Sequence, residues 1–137
     1  MRILIIDGQG GRIGRALIEA ALKELPEAEV AAIGTNAIAT SNMLKSGVKE
    51  ADTGEYPVVL NAPKADFILG PVGIIAAGSL MGEVTPEMAR AVGLSGAKKV
   101  LVPMNRCETL IAGMPDTPVG ELVKSAVEMV KREAGKR

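Results

Sequence analysis

Short, uninterrupted apolar runs alternate with amphipathic segments along this chain. The apolar runs lack the polar alternation of half-exposed strands, which is typical of parallel strands covered on both faces. The segments between them place apolar residues at helical spacing. The predicted strands are residues 2–7, 29–34, 66–70 and 98–103, and the clearest helix covers residues 12–24. Strands that alternate with helices predict an α/β sandwich of three layers around a mostly parallel sheet.

Caps and helix-breaking residues mark the ends of the predicted helices. The first helix stops before Pro26, since the residue before proline avoids the helical region. Thr35 or Asn36 caps the second helix, which runs to Ser46 and stops at Gly47. The third helix begins at Thr85 and Pro86 and ends at Gly93. The last helix begins at Thr117-Pro118.

The middle of the chain is harder to interpret. Residues 56–61 and 66–70 both read as strands, and the four residues between them are too few for a helical crossover. The two segments are therefore either antiparallel neighbours, or residues 57–61 form an edge piece. Thr109 to Ala112 is predicted as a further short edge strand.

Composition narrows the classes of function. The length of 137 residues is typical of one domain, which we assign to residues 1–137. The 16 Lys plus Arg balance the 16 Asp plus Glu, so the protein has no net charge that would attract nucleic acid or an anionic membrane. The absence of histidine excludes His-based triads and His-ligated metals, and no metal site is predicted. The single cysteine, Cys107, has no base to activate it and is predicted to be an inert thiol. With no signal segment, and with the uncharged run 67–82 too short for a membrane span, we expect a cytoplasmic protein.

The segment that carries most chemical information is the glycine loop, residues 7–14, which follows the first predicted strand and opens the first helix. Its sequence is Asp7-Gly8-Gln9-Gly10-Gly11-Arg12-Ile13-Gly14. Glycines in such a turn allow a sharp reversal, close approach of a phosphate and tight packing of helix on strand. The helix start also offers free N–H groups and a positive dipole to an anion. This context favours a Rossmann-like, nucleotide-binding domain; the alternative is a tight turn that binds nothing.

The residues that would identify the cofactor are ambiguous. The second strand ends in Gly34-Thr35-Asn36, where a dinucleotide site would place an acid for the ribose 2′-hydroxyl. Asp7 either caps the turn by accepting its N–H groups or holds a Mg²⁺ that bridges to phosphate. The ligand is therefore predicted to be NAD(P) or another phosphate-bearing nucleotide.

Ligands of open α/β sheets bind outside the carboxyl ends of the strands. Four segments are expected to meet at that edge: the glycine loop, residues 34–41, residues 70–79 and residues 105–107. Residues 70–79 either wrap a ligand or pack in an interface, and Arg106 either pairs with a phosphate or forms a surface salt bridge. The candidate cofactor-binding residues are Asp7, Gly8, Gln9, Gly10, Gly11, Arg12, Ile13, Gly14, Gly34, Thr35, Asn36, Gly70, Pro71, Asn105 and Arg106.

Residues 8–15, Gly-Gln-Gly-Gly-Arg-Ile-Gly-Arg, resemble the cofactor-binding loop of dihydrodipicolinate reductase, which ends in Gly-Arg-Met-Gly. The resemblance implies NAD(P) at Gly8, Gly11, Arg12, Ile13 and Gly14. It covers only the first 25 residues, and that family's catalytic histidines and substrate domain have no counterpart here.

Five segments spread over almost the whole chain carry a second resemblance, namely residues 6–11, 34–37, 70–74, 82–86 and 103–107. Through them the chain resembles a small family of single-domain bacterial proteins of unknown function. The resemblance implies a Rossmann-like fold and a bacterial cytoplasmic origin, and it transfers no activity.

Three functional hypotheses follow. The first is a nucleotide-binding protein with the ligand's phosphate on the N–H groups of Gly10, Gly11 and Arg12. The second is an NAD(P)-dependent oxidoreductase whose active site is shared across a homodimer, and the third is a structural or regulatory partner without a ligand. A homo-oligomer is expected because Ile74, Ile75, Leu80 and Met81 lie in the uncharged run 67–82, more apolar surface than a small domain can bury.

Overall fold

The computed structural model describes residues 1–104 and 109–136, and within them five parallel strands form one sheet. The strands are β1 (Arg2–Asp7), β2 (Glu29–Gly34), β3 (Glu50–Thr53), β4 (Phe67–Pro71) and β5 (Lys98–Val102). The helices are α1 (Arg12–Glu24), α2 (Ala37–Leu44), α3 (Glu55–Asn61), α4 (Pro86–Leu94) and α5 (Val119–Ala134). Two short 3-10 helices, Ala62–Lys64 and Val72–Ile75, flank β4. In these described ranges no helix has the length and apolar character needed to cross a bilayer.

The strand order is β3-β2-β1-β4-β5, so β1 lies at the centre of the sheet. The chain first moves outward from β1 through β2 to β3, then returns to the other side of β1 for β4 and β5. The order therefore reverses between β1 and β4, and the carboxyl ends of these strands form the crevice where ligands of such sheets bind.

Successive residues of β1 point into two different apolar layers, which explains its continuous apolar run. Ile3 and Ile5 face α1 and α5, whereas Leu4 and Ile6 face α3 and α4; all four are fully or almost fully buried. The predicted three-layer α/β sandwich is confirmed. The mostly parallel sheet of the prediction is wholly parallel in the described residues.

The prediction for residues 56–61 is wrong, because this segment is helix α3 and not a strand. The apolar run Val58-Val59-Leu60 suggested a strand, yet only Val58 is buried. Pro57 lies in the first turn, where its missing N–H costs nothing. The helix itself supplies the crossover, so β4 is parallel to its neighbours and no antiparallel pair forms.

The edge strands also differ from expectation. The edge beside β2 is β3, which sequence analysis missed because three of its four residues, Glu50 to Thr53, are polar and exposed. Residues 109–112 do not form a strand; Ile111 instead accepts a hydrogen bond from the Met114 N–H in a turn. Helix α2 ends at Leu44, before Ser46, and Gly93 lies inside the last turn of α4.

One buried side chain joins the end of β1 to the start of α1. Asp7 is 1% exposed, and its Oδ1 accepts the Gly8 N–H at 2.7 Å while its Oδ2 accepts the Gly14 N–H at 2.6 Å. The predicted role of Asp7 as a cap of the turn is therefore confirmed. The other interpretation, a Mg²⁺ ligand, stays a prediction.

Replacing Gly14 by alanine should destabilise the protein. A Cβ at Gly14 would lie 2.7 Å from the Asp7 Cβ and 2.8 Å from the Met43 Cε, so helix and strand would have to separate. We expect a loss of about 1–3 kcal/mol in the free energy of unfolding measured in urea. The matched control is Gly93→Ala in α4, where a Cβ meets nothing within 4 Å and helix propensity should add up to about 1 kcal/mol. Equal stability of the two variants would contradict this packing argument.

The buried Asp7 carboxyl should also make stability depend on pH. Burial raises its pKa above the ordinary value, although the N–H groups of Gly14, Gly8 and Ile13 oppose the rise. Between the unfolded and the raised folded pKa the folded state binds more protons, so the contribution of Asp7 to stability falls as pH rises through that interval. In urea unfolding from about pH 4 to neutrality, we expect wild type to lose stability relative to Asp7→Asn, which cannot titrate. A wild-type advantage that grows with pH would show that the pKa is lowered instead.

Candidate functional site

The glycine loop has a tightly defined backbone. Gln9 and Gly11 are both left-handed, with φ of 51° and 71°, and the Gly11 N–H donates to the Gly8 carbonyl at 2.9 Å. A Cβ at Gly11 would lie 2.5 Å from the Ala39 carbonyl oxygen. The glycine at position 11 is therefore required for packing against α2, and its N–H is already used within the turn.

Helix α2 holds the carbonyl groups of the loop. The Asn36 Nδ2 donates to the Gln9 carbonyl at 3.1 Å, and the Asn42 Nδ2 donates to the Gly10 carbonyl at 2.8 Å. The Asn36 Oδ1 meanwhile accepts the Ala39 N–H and caps α2, as one of the two predicted caps. Because C=O and N–H point in opposite directions across a trans peptide, the Gly10 N–H points away from Asn36.

Two N–H groups of the loop remain open. Those of Gly10 and Arg12 have no acceptor within residues 1–104 and 109–136, and the Arg12 guanidinium has no partner there either. Both residues are exposed and line a cleft of ≈ 480 Å³, formed by residues 7–13 with Met104 and Val119. The cleft thus combines unpaired donors and a cation at one end with apolar side chains at the other.

This cleft continues into an apolar groove along α5. Met104 also lines a neighbouring cavity of ≈ 490 Å³, which shares Pro103, Met114 and Leu122 with a third cavity of ≈ 340 Å³. The walls of the third cavity are mainly apolar and include Val72, Leu101, Ile111 and Met129. An extended ligand could place a polar end at the glycine loop and an apolar body along this groove.

On the other side of the loop lies a carboxylate that sequence analysis missed. The Glu83 Oε1 accepts the Gln9 N–H at 3.2 Å, the Thr35 hydroxyl at 2.8 Å and the Asn36 Nδ2 at 3.0 Å. Its Oε2 accepts only the Asn36 Nδ2, at 2.9 Å. Burial acts to raise the pKa of Glu83, but the three donors outweigh it and hold the pKa below its ordinary value. Glu83 is therefore ionised at neutral pH, at the end of β2 where the sequence shows no acid.

A strained loop carries Glu83 to this position. Leu80 and Met81 are consecutive left-handed residues with φ of 53° and 58°, between the left-handed glycines 78 and 82. Leu80 is fully buried and Met81 is 88% exposed, so one side chain anchors the loop while the next faces out. One sequence signal could have indicated Glu83, because it is the first charged residue after the uncharged run 67–82.

The remaining candidate residues are placed differently. Gly34 and Gly70 are buried where the backbone is crowded: a Cβ would overlap the Thr40 side chain at Gly34 and the Ile6 carbonyl at Gly70. Pro71 is buried at the end of β4, and none of these three lines the glycine-loop cleft. The Thr35 hydroxyl reaches the loop through Glu83, whereas Asn36 also contacts the loop directly at the Gln9 carbonyl. Asn105, Arg106 and Cys107 lie outside the described residues.

Only some of the apolar side chains that predict an oligomer are exposed. Ile74 and Leu80 are buried in the domain's own core, with exposures of 1% and 0%. Ile75 and Met81, at 45% and 88%, remain exposed. The domain therefore buries about half of the apolar side chains that suggested an interface.

Comparison with solved structures places the fold among known α/β proteins. A dodecameric FMN-dependent UbiX-like decarboxylase from Escherichia coli O157:H7 matches with a TM-score of 0.53 and 19% identity, over 98% of this chain and 95% of that one. AibC matches with a TM-score of 0.51 and 15% identity, over 96% of this chain but only 42% of that one. At these identities the likeness establishes the fold. No curated protein sequence matches the chain significantly.

The family resemblance is tested by a family model that spans almost the whole chain. Residues 2–135 match the model described as Domain of unknown function (DUF3842). This confirms the predicted resemblance to a family of unknown function, whereas the likeness of the loop to dihydrodipicolinate reductase stays a prediction. The chain belongs to the DUF3842 family.

Proposed function

We propose that this protein binds a phosphate-bearing nucleotide, with the phosphate against the N–H groups of Gly10 and Arg12. The observation that carries the proposal is that the N–H groups of Gly10 and Arg12 have no acceptor among residues 1–104 and 109–136. Both residues lie at the start of α1 and line a cleft of ≈ 480 Å³. N–H groups in the first turn of a helix and the helix dipole together favour an anion. The exposed Arg12 guanidinium adds a charge that can pair with a phosphate.

The nature of the groove favours a nucleotide with one phosphate and an extended apolar ring system. Met104 and Val119 face the cleft, and the groove continues along apolar side chains of β5 and α5. At the end of β2, Thr35 and Asn36 hold the Glu83 carboxylate where a dinucleotide site places an acid for the ribose 2′-hydroxyl, so a dinucleotide is the alternative ligand. FMN, which the structurally similar decarboxylase depends on, is the first ligand to test, and NAD(P) is the second.

Binding should be visible as thermal stabilisation. FMN at about a hundred times its dissociation constant should stabilise the fold by roughly 2.7 kcal/mol, which for a domain of this size raises the melting temperature by several degrees. Gly10→Val should remove the shift, since its side chain would enter the cleft beside the open N–H groups. Gly11→Val is not a suitable test of binding, because its Cβ would overlap Ala39 of α2 and disturb the fold.

The matched control is Gly96→Val. A Cβ at Gly96 meets nothing within 4 Å, and at Gly10 only the Arg12 Cγ at 4.0 Å, so both variants should fold. Gly96 precedes β5, at the opposite end of the sheet from the cleft. Stabilisation that survives in Gly10→Val, or that no nucleotide produces in wild type, would show that the glycine loop is only a structural turn.

We also propose that the chain assembles into a homodimer or a larger oligomer. Ile75 and Met81 expose large apolar side chains on the same segment, with 45% and 88% of their surface free. Exposed apolar patches commonly mark interfaces. The similar decarboxylase is described as dodecameric.

Light scattering at micromolar concentration should give a multiple of 14.2 kDa for wild type. Met81→Lys should lower the mass, because it places a charge in the apolar contact. The control Leu94→Lys changes a side chain that is 71% exposed at the end of α4, before β5, and it should leave the mass unchanged. A monomeric wild-type protein would overturn the proposal.

A further inference from the structure

The two edges of the sheet differ in character. Strand β3 carries the acids Glu50 and Asp52, both exposed, and charged side chains are a common protection of an edge strand against pairing. At the other edge, β5 continues from two lysines into Val100, Leu101 and Val102. An apolar edge strand is a template for a further strand, so β5 is the edge at which the sheet can be extended.

The backbone groups on the outer side of β5 are unpaired. The Lys98 N–H donates to the Asp66 carbonyl at 3.0 Å, on the side of β4. Because successive residues of a strand direct their backbone groups to opposite sides, the N–H and C=O groups of Lys99 and Leu101 point away from β4. Within residues 1–104 and 109–136 no hydrogen bond reaches these groups.

The two lysines of β5 do not protect this edge. The Lys99 Nζ donates to the carbonyl groups of Gly93 and Ser95 at the end of α4, at 3.3 and 2.6 Å. The Lys98 Nζ donates to the Glu133 carboxylate of α5 at 3.1 Å. Both ammonium groups therefore have partners within their own domain, and neither is left to repel an added strand.

Apolar side chains of α5 lie beside the same edge. Leu122, Ala126 and Met129 recur at helical spacing and face a cavity of ≈ 340 Å³, whose wall on the sheet side includes Val100 and Val102. Met129 is 41% exposed. An added strand would lie in the plane of the sheet, so it would border this groove without filling it.

The sequence of β5 is complementary to an antiparallel copy of itself in one register. With Val100 opposite its own copy, Lys99 of each chain lies opposite Leu101 of the other, and each of these pairs exchanges both of its N–H···O bonds. All the outward groups then have partners. A register centred on Lys99 would set two lysines directly opposite each other. A register centred on Leu101 would use Pro103, which has no N–H.

We propose that β5 pairs with β5 of a second copy of the chain in the register centred on Val100, which joins the two sheets across a two-fold axis. This contact is separate from the apolar side chains Ile75 and Met81, on which the oligomer proposed above rests. One symmetric contact closes a dimer, so pairing through β5 supplies the second contact that a larger assembly needs.

Engineered cysteines test the register, in a Cys107→Ser background that removes the single cysteine of the chain. Residues directly opposite in a non-hydrogen-bonded pair have Cα atoms about 4.5 Å apart, which is within the range for a disulfide. Val100→Cys should therefore give a disulfide-linked dimer on mild oxidation, seen on a non-reducing gel.

The matched control is Lys99→Cys. Its two copies are displaced by two residues along the strands, so their Cα atoms lie roughly 8 Å apart and should stay unlinked. Val100 is buried and Lys99 is half-buried, so chance collisions would favour the control over the predicted cross-link.

Light scattering tests the contact without oxidation, in a Met81→Lys background that removes the other proposed contact. In that background Met129→Glu should halve the mass, because it places a charge beside the paired strands. Lys124→Glu, exposed on α5 but outside the groove, should leave the mass unchanged. Leu94→Lys should also have no effect, since Leu94 lines a different groove beside α3.

The outcomes separate this proposal from the others. If the Met81→Lys protein is a dimer that Met129→Glu dissociates, and Val100→Cys cross-links, pairing through β5 stands whether or not FMN binds. If Met129→Glu lowers the mass and Met81→Lys does not, the Met81 contact falls and β5 pairing stands. If the Met81→Lys protein is already monomeric, or if Lys99→Cys links and Val100→Cys does not, the proposed pairing is overturned.

Discussion

The hydrogen bonds of the buried Asp7 carboxylate determine the geometry of the candidate site. By accepting the N–H groups of Gly8 and Gly14 at 2.7 and 2.6 Å, Asp7 fixes the chain at both ends of the turn. Burying a carboxylate is unfavourable unless its oxygens are hydrogen-bonded, so the turn must keep this shape for the charge to be tolerated. The start of α1 is thereby held over the end of β1, next to the crevice where the strand order reverses.

The glycines of the loop serve different purposes once this geometry is fixed. Gly14 lets α1 approach β1, because a Cβ there would overlap Asp7. Gly11 combines a left-handed backbone with contact to α2, and Gly8 lies against Thr35 and Leu80. Gly10 alone of the four faces open space, apart from the Arg12 side chain at 4.0 Å. Packing therefore explains three of the glycines. The fourth keeps a surface free beside its own N–H group, which has no acceptor in the part of the chain that the structure describes.

The sequence was informative where burial and capping act locally. The apolar runs of β1 and β2 and the helix that begins at Arg12 are read correctly, since each combines a full pattern with a clear boundary. The prediction failed for residues 50–61. The edge strand β3 is polar and so lacks the apolar pattern of a strand, and helix α3 has an apolar run of which only one side chain is buried. The turn role of Asp7 follows from its position before a glycine. Glu83 could not be placed, because it reaches the loop from 74 residues away through a turn of unusual backbone conformation.

The use of N–H groups in the loop limits the charge that a ligand can carry. Asp7 takes the N–H groups of Gly8 and Gly14, and Glu83 takes that of Gln9. The Gly11 N–H closes the turn on the Gly8 carbonyl, which leaves those of Gly10 and Arg12 at the cleft. Two donors and one guanidinium suit a single phosphate.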